Sequence, residues 1–311
     1  MKQILLIKFP ILFPVLYASI LYLLPEFETE LIFITILVLA ETHFGATWPF
    51  FLINSNFKKI RDDKTKLIIF PILIILTSLV GFLLIKNTFL LIFFAANIYH
   101  VTRQSFGVCK LYCKNIKEIE FQGNLIYFFN LLFFFIGLFR FYLPIVDSEN
   151  LLILNISIIA LMILVFIIYI LKFNFSENFL TFVTGCIIFF PICFIENPVH
   201  GIIMGVTMHY VQYLYLTHYV VNERSKNKEN EPNIYKKRNF FYKFIFVVSL
   251  YSIVMSGFLL LTKFSNLSLQ NLIIVPIIGQ MLHFYLDSQL WKFSNEYNRE
   301  NVLKYILRLV N

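Results

Sequence analysis

Four of the six histidines, His43, His100, His209 and His283, fall near the middle of four separate apolar segments. An imidazole inside a bilayer must find a partner, a proton or a metal. Several neutral imidazoles converging from different helices suit a transition metal such as iron, copper or zinc, with carboxylates and amides behind them fixing the ring tautomers. An iron site of this kind with open positions can activate oxygen. Proton relay, substrate binding and helix-to-helix hydrogen bonding are the other roles open to such a layer.

Each histidine has companions on its own helical face, because positions three and four apart are neighbours. Thr47 follows His43; Arg103 and Gln104 follow His100, with Asn97 before it; Gln212 and Tyr213 follow His209; Asp287 follows His283. The polar residues expected to act beside the metal are therefore Arg103, Gln104, Gln212 and Asp287. Asp287 can be a ligand or an acceptor behind one. Arg103 can neutralise it, clamp an anionic group, or form a buried ion pair with it. These companions lie toward one side of the layer and imply a polar cavity opening inward.

Glu41 lies about 200° around the helix from His43 and is expected to serve another contact, as a proton-relay or helix-pairing carboxylate. His200 and His218 stand nine residues either side of His209, half a turn out of phase, so one face cannot present all three. His200 is expected to be solvated at the outer surface. His218, near the inner end, is a possible additional contributor.

The elements that must carry these residues are transmembrane helices. The chain of 311 residues is 59% hydrophobic and 14% charged, and its apolar residues gather into runs as long as a bilayer is thick. Ten segments meet the length rule: 4–24, 30–54, 66–86, 88–111, 124–145, 150–173, 179–196, 199–222, 238–262 and 268–292. The fold class is thus an all-α, polytopic bundle of about ten helices, one integral membrane domain over 1–311. In a prokaryote it would lie in the plasma or inner membrane.

The net charge of +8 is sorted by side. Lys58, Lys59, Arg61, Lys64 and Lys66 follow the second segment, and Lys110, Lys114 and Lys117 the fourth. Arg224, Lys226, Lys228, Lys236, Lys237 and Arg238 follow the eighth, in a polar stretch, 222–238, expected to be a flexible cytoplasmic loop. Acidic residues hold the alternate loops, as at Glu26, Glu28, Glu30, Asp147, Glu149 and Glu196, with Lys86 and Lys263 as exceptions. The positive-inside rule then puts both termini in the cytoplasm, and the first segment reads as a retained span. The bilayer, not nucleic acid, is the partner of this charge. In that topology the four histidines lie 10 to 15 residues from the outer end of their spans, one layer within ~8 Å. Cys109, Cys113, Cys186 and Cys193 read as small buried hydrophobes. Trp48 and Trp291 read as interface anchors.

Thr42-His43-Phe44-Gly45, in this histidine-rich polytopic setting, resembles the Brp/Blh family of membrane carotene dioxygenases, which cleave β-carotene to retinal. The resemblance implies a single iron held by histidines from several spans and carries over to His43 alone. That family also uses two histidines one helical turn apart, and no His-x-x-x-His occurs in this chain.

The expected function is a metal-dependent membrane oxygenase or oxidoreductase, using non-haem iron on a lipid, isoprenoid or other apolar small molecule; any redox partner stays open. A haem-binding electron carrier is a second possibility, although no two histidines stand the customary 13 or 14 residues apart on one helix. A proton-coupled transporter or a metal-independent transferase is a third.

Overall fold

The computed structural model describes residues 3–52, 63–143, 148–227, 234–264 and 267–310, and among them every regular element is helical. In chain order the principal helices are α1 (Leu12–Leu23), α2 (Pro25–Phe51), α3 (Thr65–Leu84), α4 (Lys86–Tyr112), α5 (Ile116–Tyr142), α6 (Asn150–Phe173), α7 (Glu177–Cys193), α8 (Pro198–Asn227), α9 (Tyr242–Thr262) and α10 (Leu269–Leu290). Six of the described helices are long and apolar enough to cross a membrane: α2, α3, α5, α6, α9 and α10. Of the other four expected spans, α1 and α7 are short. Helices α4 and α8 are long enough, with 27 and 30 residues, but the polar residues around His100 and His209 leave them less apolar than the six.

Helix α3 shows why a bilayer suits this surface. Ile72, Leu76, Val80 and Leu83 are 49%, 52%, 53% and 60% exposed, and α6 exposes Leu152, Ile156 and Ile163 in the same way. Stripes of this size on a water-soluble protein would drive aggregation, whereas lipid covers them at no cost.

The chain divides into two compact units, Met1–Ile32 with Asn97–Gln212, and Phe33–Ala96 with Tyr213–Asn311. The sequence reads as one domain because each boundary falls inside a helix, in α2, α4 and α8, where composition gives no break.

In the first unit, α5, α6 and α7 bury Ile126, Phe129, Phe133, Tyr169, Phe182, Cys186 and Phe189. Asn130 donates to the carbonyls of Ile126 and Gly185, bridging α5 to α7. Tyr169 donates to the Glu118 carboxylate, and Gln122 donates to Tyr169 at 3.0 Å. Thr184 donates to the Lys8 carbonyl, and Lys8 pairs with Glu177, which fixes the turn Ile4–Lys8 against α7. Gly205 is required here: a Cβ would lie 1.8 Å from the Ile188 carbonyl oxygen.

In the second unit Phe82, Phe89, Ile274 and Ile277 form one buried cluster. The Tyr251 ring of α9 enters a slot made by two glycines, since a Cβ on Gly45 would come within 3.1 Å of the ring and one on Gly279 within 2.5 Å of its hydroxyl. All four cysteines are free and buried.

The stretch 222–238 is helical at both ends in the structure. Helix α8 continues to Asn227 and helix resumes at Ile234; the part of the expected loop over 228–233 lies outside the described residues, as do Lys58, Lys59, Arg61 and Asp147.

Candidate functional site

Helix α2 presents its histidine by leaving regular α geometry on both sides. A π-turn at Ile36–Ala40 precedes Glu41 and His43, and π-turns add a residue to one helical turn and so re-aim the face that follows. The α segment then ends at Gly45, ahead of Pro49, whose ring disfavours helix in the residue before it. Trp48 donates back to Gly45 over three residues. Thr47 therefore sits in a turn and not on the face below His43.

That displacement gives Thr47 its partners. Its hydroxyl lies 2.6 Å from the Tyr213 hydroxyl and 2.8 Å from His283 Nδ1. Tyr213 in turn donates to Asp287 Oδ1 at 2.6 Å, and Trp291 Nε1 donates to the same oxygen at 2.5 Å. With the Asp287 carboxylate accepting from Tyr213, the proton order along this chain follows. Tyr213 gives its proton to Asp287, Thr47 gives its proton to Tyr213, and His283 gives its Nδ1 proton to Thr47. The Nε2 of His283 is left as the nitrogen that carries the lone pair, the tautomer a metal requires.

His43 packs against this chain. Its ring centroid lies 4.6 Å from His283 and 4.3 Å from Tyr213, both edge to face, with Phe44 5.1 Å from His283. His43, Thr47 and His283 are fully buried and Asp287 nearly so. A ligand atom of His283 and one of Asp287 lie within 4.8 Å of each other.

The first unit holds the other two histidines of the layer. His100 and His209 meet edge to face at 5.7 Å between centroids, with ligand nitrogens within 4.8 Å. Both are buried. The structure thus brings the expected four together as two imidazole pairs, one in each unit.

The polar companions divide. Asp287 reaches His283 through two hydroxyls, one of the two roles open to it. Gln212 donates to the Ile7 carbonyl, so it ties α8 to the N-terminal turn. Arg103 is exposed, which removes the buried ion pair as its role, and Gln104 is half-buried. Glu41 is fully buried and accepts from Gln280 at 3.5 Å, the separate contact its helical phase implies. His218 is exposed.

His200 departs from expectation. It is 1% exposed, not solvated: Tyr17 lies 2.7 Å from its Nδ1 and Glu28 2.8 Å from its Nε2. A neutral ring with Nε2–H toward the carboxylate and Nδ1 accepting from the phenol satisfies all three groups. Neither Tyr17 nor Glu28 stands near it in sequence, so no local pattern could have shown the contact. Trp291, expected as an interface anchor, donates instead to Asp287 four residues before it, a contact that the helical period does offer.

No protein-family model, no curated protein and no solved structure matches this chain. Its residues alone define the class, an all-helical protein with bilayer-compatible helices and buried imidazole pairs.

Proposed function

We propose that this protein is a membrane-embedded, metal-dependent oxidoreductase of the oxygenase type, acting on a lipid, isoprenoid or other apolar small molecule. The observation that carries the reading is the chain Asp287, Tyr213, Thr47, His283, in which a buried carboxylate, acting through two hydroxyls, sets a buried histidine in the ligand tautomer. An acceptor behind the nitrogen that faces away from the metal is a recurring feature of ligating imidazoles.

In this reading His43 and His283 of the second unit and His100 and His209 of the first supply the ligands. Iron is the metal that suits them together with oxygen chemistry on an apolar substrate, and with open positions it would activate oxygen. The protein's own part is then to hold neutral imidazoles, keep Asp287 as an acceptor and exclude water by burial. Ten spans with both ends cytoplasmic, and the resemblance of the His43-Phe44-Gly45 setting to the Brp/Blh enzymes, belong to the same proposal.

Elemental analysis and an optical spectrum of the detergent-purified chain test it. One or two iron atoms per chain, lost in His283→Ala, are expected. Metal-free protein that retains its helical spectrum would overturn the reading, and a Soret band would replace it with haem-based electron transfer. Metal-independent activity after stringent chelation would favour the transporter or transferase alternative.

A further inference from the structure

Away from the histidines, the second unit contains a polar cavity of about 240 Å³ lined by Asp63, Lys66, Leu67, Gln289, Lys292, Ser294 and Asn295. Helix α3 starts at it and α10 ends at it, both of them long and apolar enough to cross a membrane. A cavity at the ends of two such helices lies at the level of lipid headgroups.

Charge and donors define what it would take. Lys66 Nζ is paired with Asp63 at 2.7 Å, while Lys292 forms no ion pair among the described residues. One aspartate and two lysines leave the cavity with a single net positive charge. The hydroxyl of Ser294 and the amides of Gln289 and Asn295 add neutral donors around it, and Asn295 does not turn its side chain back to cap the turn that follows. One uncompensated cation ringed by hydroxyl and amide donors matches a monoanionic phosphodiester.

The wall is held before any ligand arrives. Asn298, fully buried, donates to the carbonyls of Gln289 and Lys292 at 2.6 and 3.0 Å, and Arg299 donates to those of Phe293 and Ser294. Across the cavity Tyr285 donates to the Lys66 carbonyl at 2.8 Å and packs its ring on Phe70. Immediately along α3, Ile68, Ile69, Phe70 and Ile72 are exposed by 41% to 50%, an apolar track leading away from the polar end.

We propose that this cavity binds the headgroup of an anionic glycerophospholipid, its phosphodiester on Lys292, Ser294 and Asn295 and its acyl chains along α3. A headgroup of net charge −1 neutralises the cavity, whereas a zwitterionic one leaves the lysine charge standing.

The test uses the full chain, stripped of lipid in detergent, with phosphatidylglycerol, phosphatidylcholine or inorganic phosphate added in turn. Native mass spectrometry reads retained lipid and the melting temperature reads stabilisation. Phosphatidylglycerol should be retained and raise the melting temperature by roughly 2–8 °C near saturation, with phosphatidylcholine and phosphate far weaker. Lys292→Gln should weaken phosphatidylglycerol about tenfold, Lys292→Arg should keep it, and Lys172→Gln in the first unit should change nothing. Equal binding of both lipids, a full shift from phosphate alone, unchanged binding in Lys292→Gln, or equal damage from Lys172→Gln would each overturn the proposal. Should Lys292→Gln not fold, Asn295→Ala, expected to weaken binding severalfold, decides it in the same way.

Discussion

Each unit buries a pair of imidazoles of the histidine layer, but Asp287 of the second and Glu118 of the first are used differently. In the second unit Asp287 stands behind His283 through Tyr213 and Thr47. In the first unit Glu118 accepts from Tyr169, Gln122 and Asn178, Glu28 from His200 and Asn197, and Glu177 pairs with Lys8. Those contacts join helices of the first unit and the turn before α1. The contrast separates two uses of an acid in an apolar bundle, setting the proton on a ligand nitrogen and fastening one helix to another; of these acids Asp287 and Glu118 are the buried ones.

The strongest way to break the comparison is to remove the imidazoles themselves. His43→Ala and His283→Ala should each lower bound metal at least a hundredfold by elemental analysis, and His100→Ala and His209→Ala should do the same if both pairs ligate. Loss confined to the second unit would make the first unit's pair structural, and loss in none would end the metal reading.

Asp287→Asn comes next. An amide both donates and accepts, so it no longer dictates the proton order, and metal affinity measured by chelator competition should fall roughly 10- to 100-fold. Glu118→Gln is the matched change in the first unit. It should lower the melting temperature and leave metal affinity alone, and a comparable affinity loss there would erase the distinction between the two acids.

Thr47→Val cuts the chain one hydroxyl from the ring and should weaken metal by about tenfold; Thr47→Ser should restore it. A silent Thr47→Val would mean that His283 takes its tautomer from elsewhere.

His200→Ala gives the smallest effect on metal and a purely structural one on the fold. It leaves the buried Tyr17 hydroxyl without its acceptor, at about 1–3 kcal/mol, which should appear as a lower melting temperature with metal content unchanged. Metal loss in this variant would move His200 into the site.

Much of this is legible in the chain because membrane burial is a property of runs of residues. Segments such as α3 and α6 announce themselves by length and apolarity. The helical period also separates His200 from His209, and Glu41 from His43, since 100° per residue is local geometry. Where the chain leaves that geometry, period-based reasoning fails. Thr47 follows His43 by four residues, yet the turn before Pro49 carries it to His283 instead.

The sequence by itself determined the all-helical, lipid-compatible character of the chain and the scarcity of ionisable groups that makes each buried histidine informative. Only the tertiary structure decided which imidazoles pair, His43 with His283 and His100 with His209, and which acid stands behind which ring. Hydrophobic burial is roughly additive along the chain and can be summed from the sequence. A hydrogen-bond chain such as Asp287 to His283 is directional and crosses 70 to 240 positions, so it exists only once α2, α8 and α10 have packed.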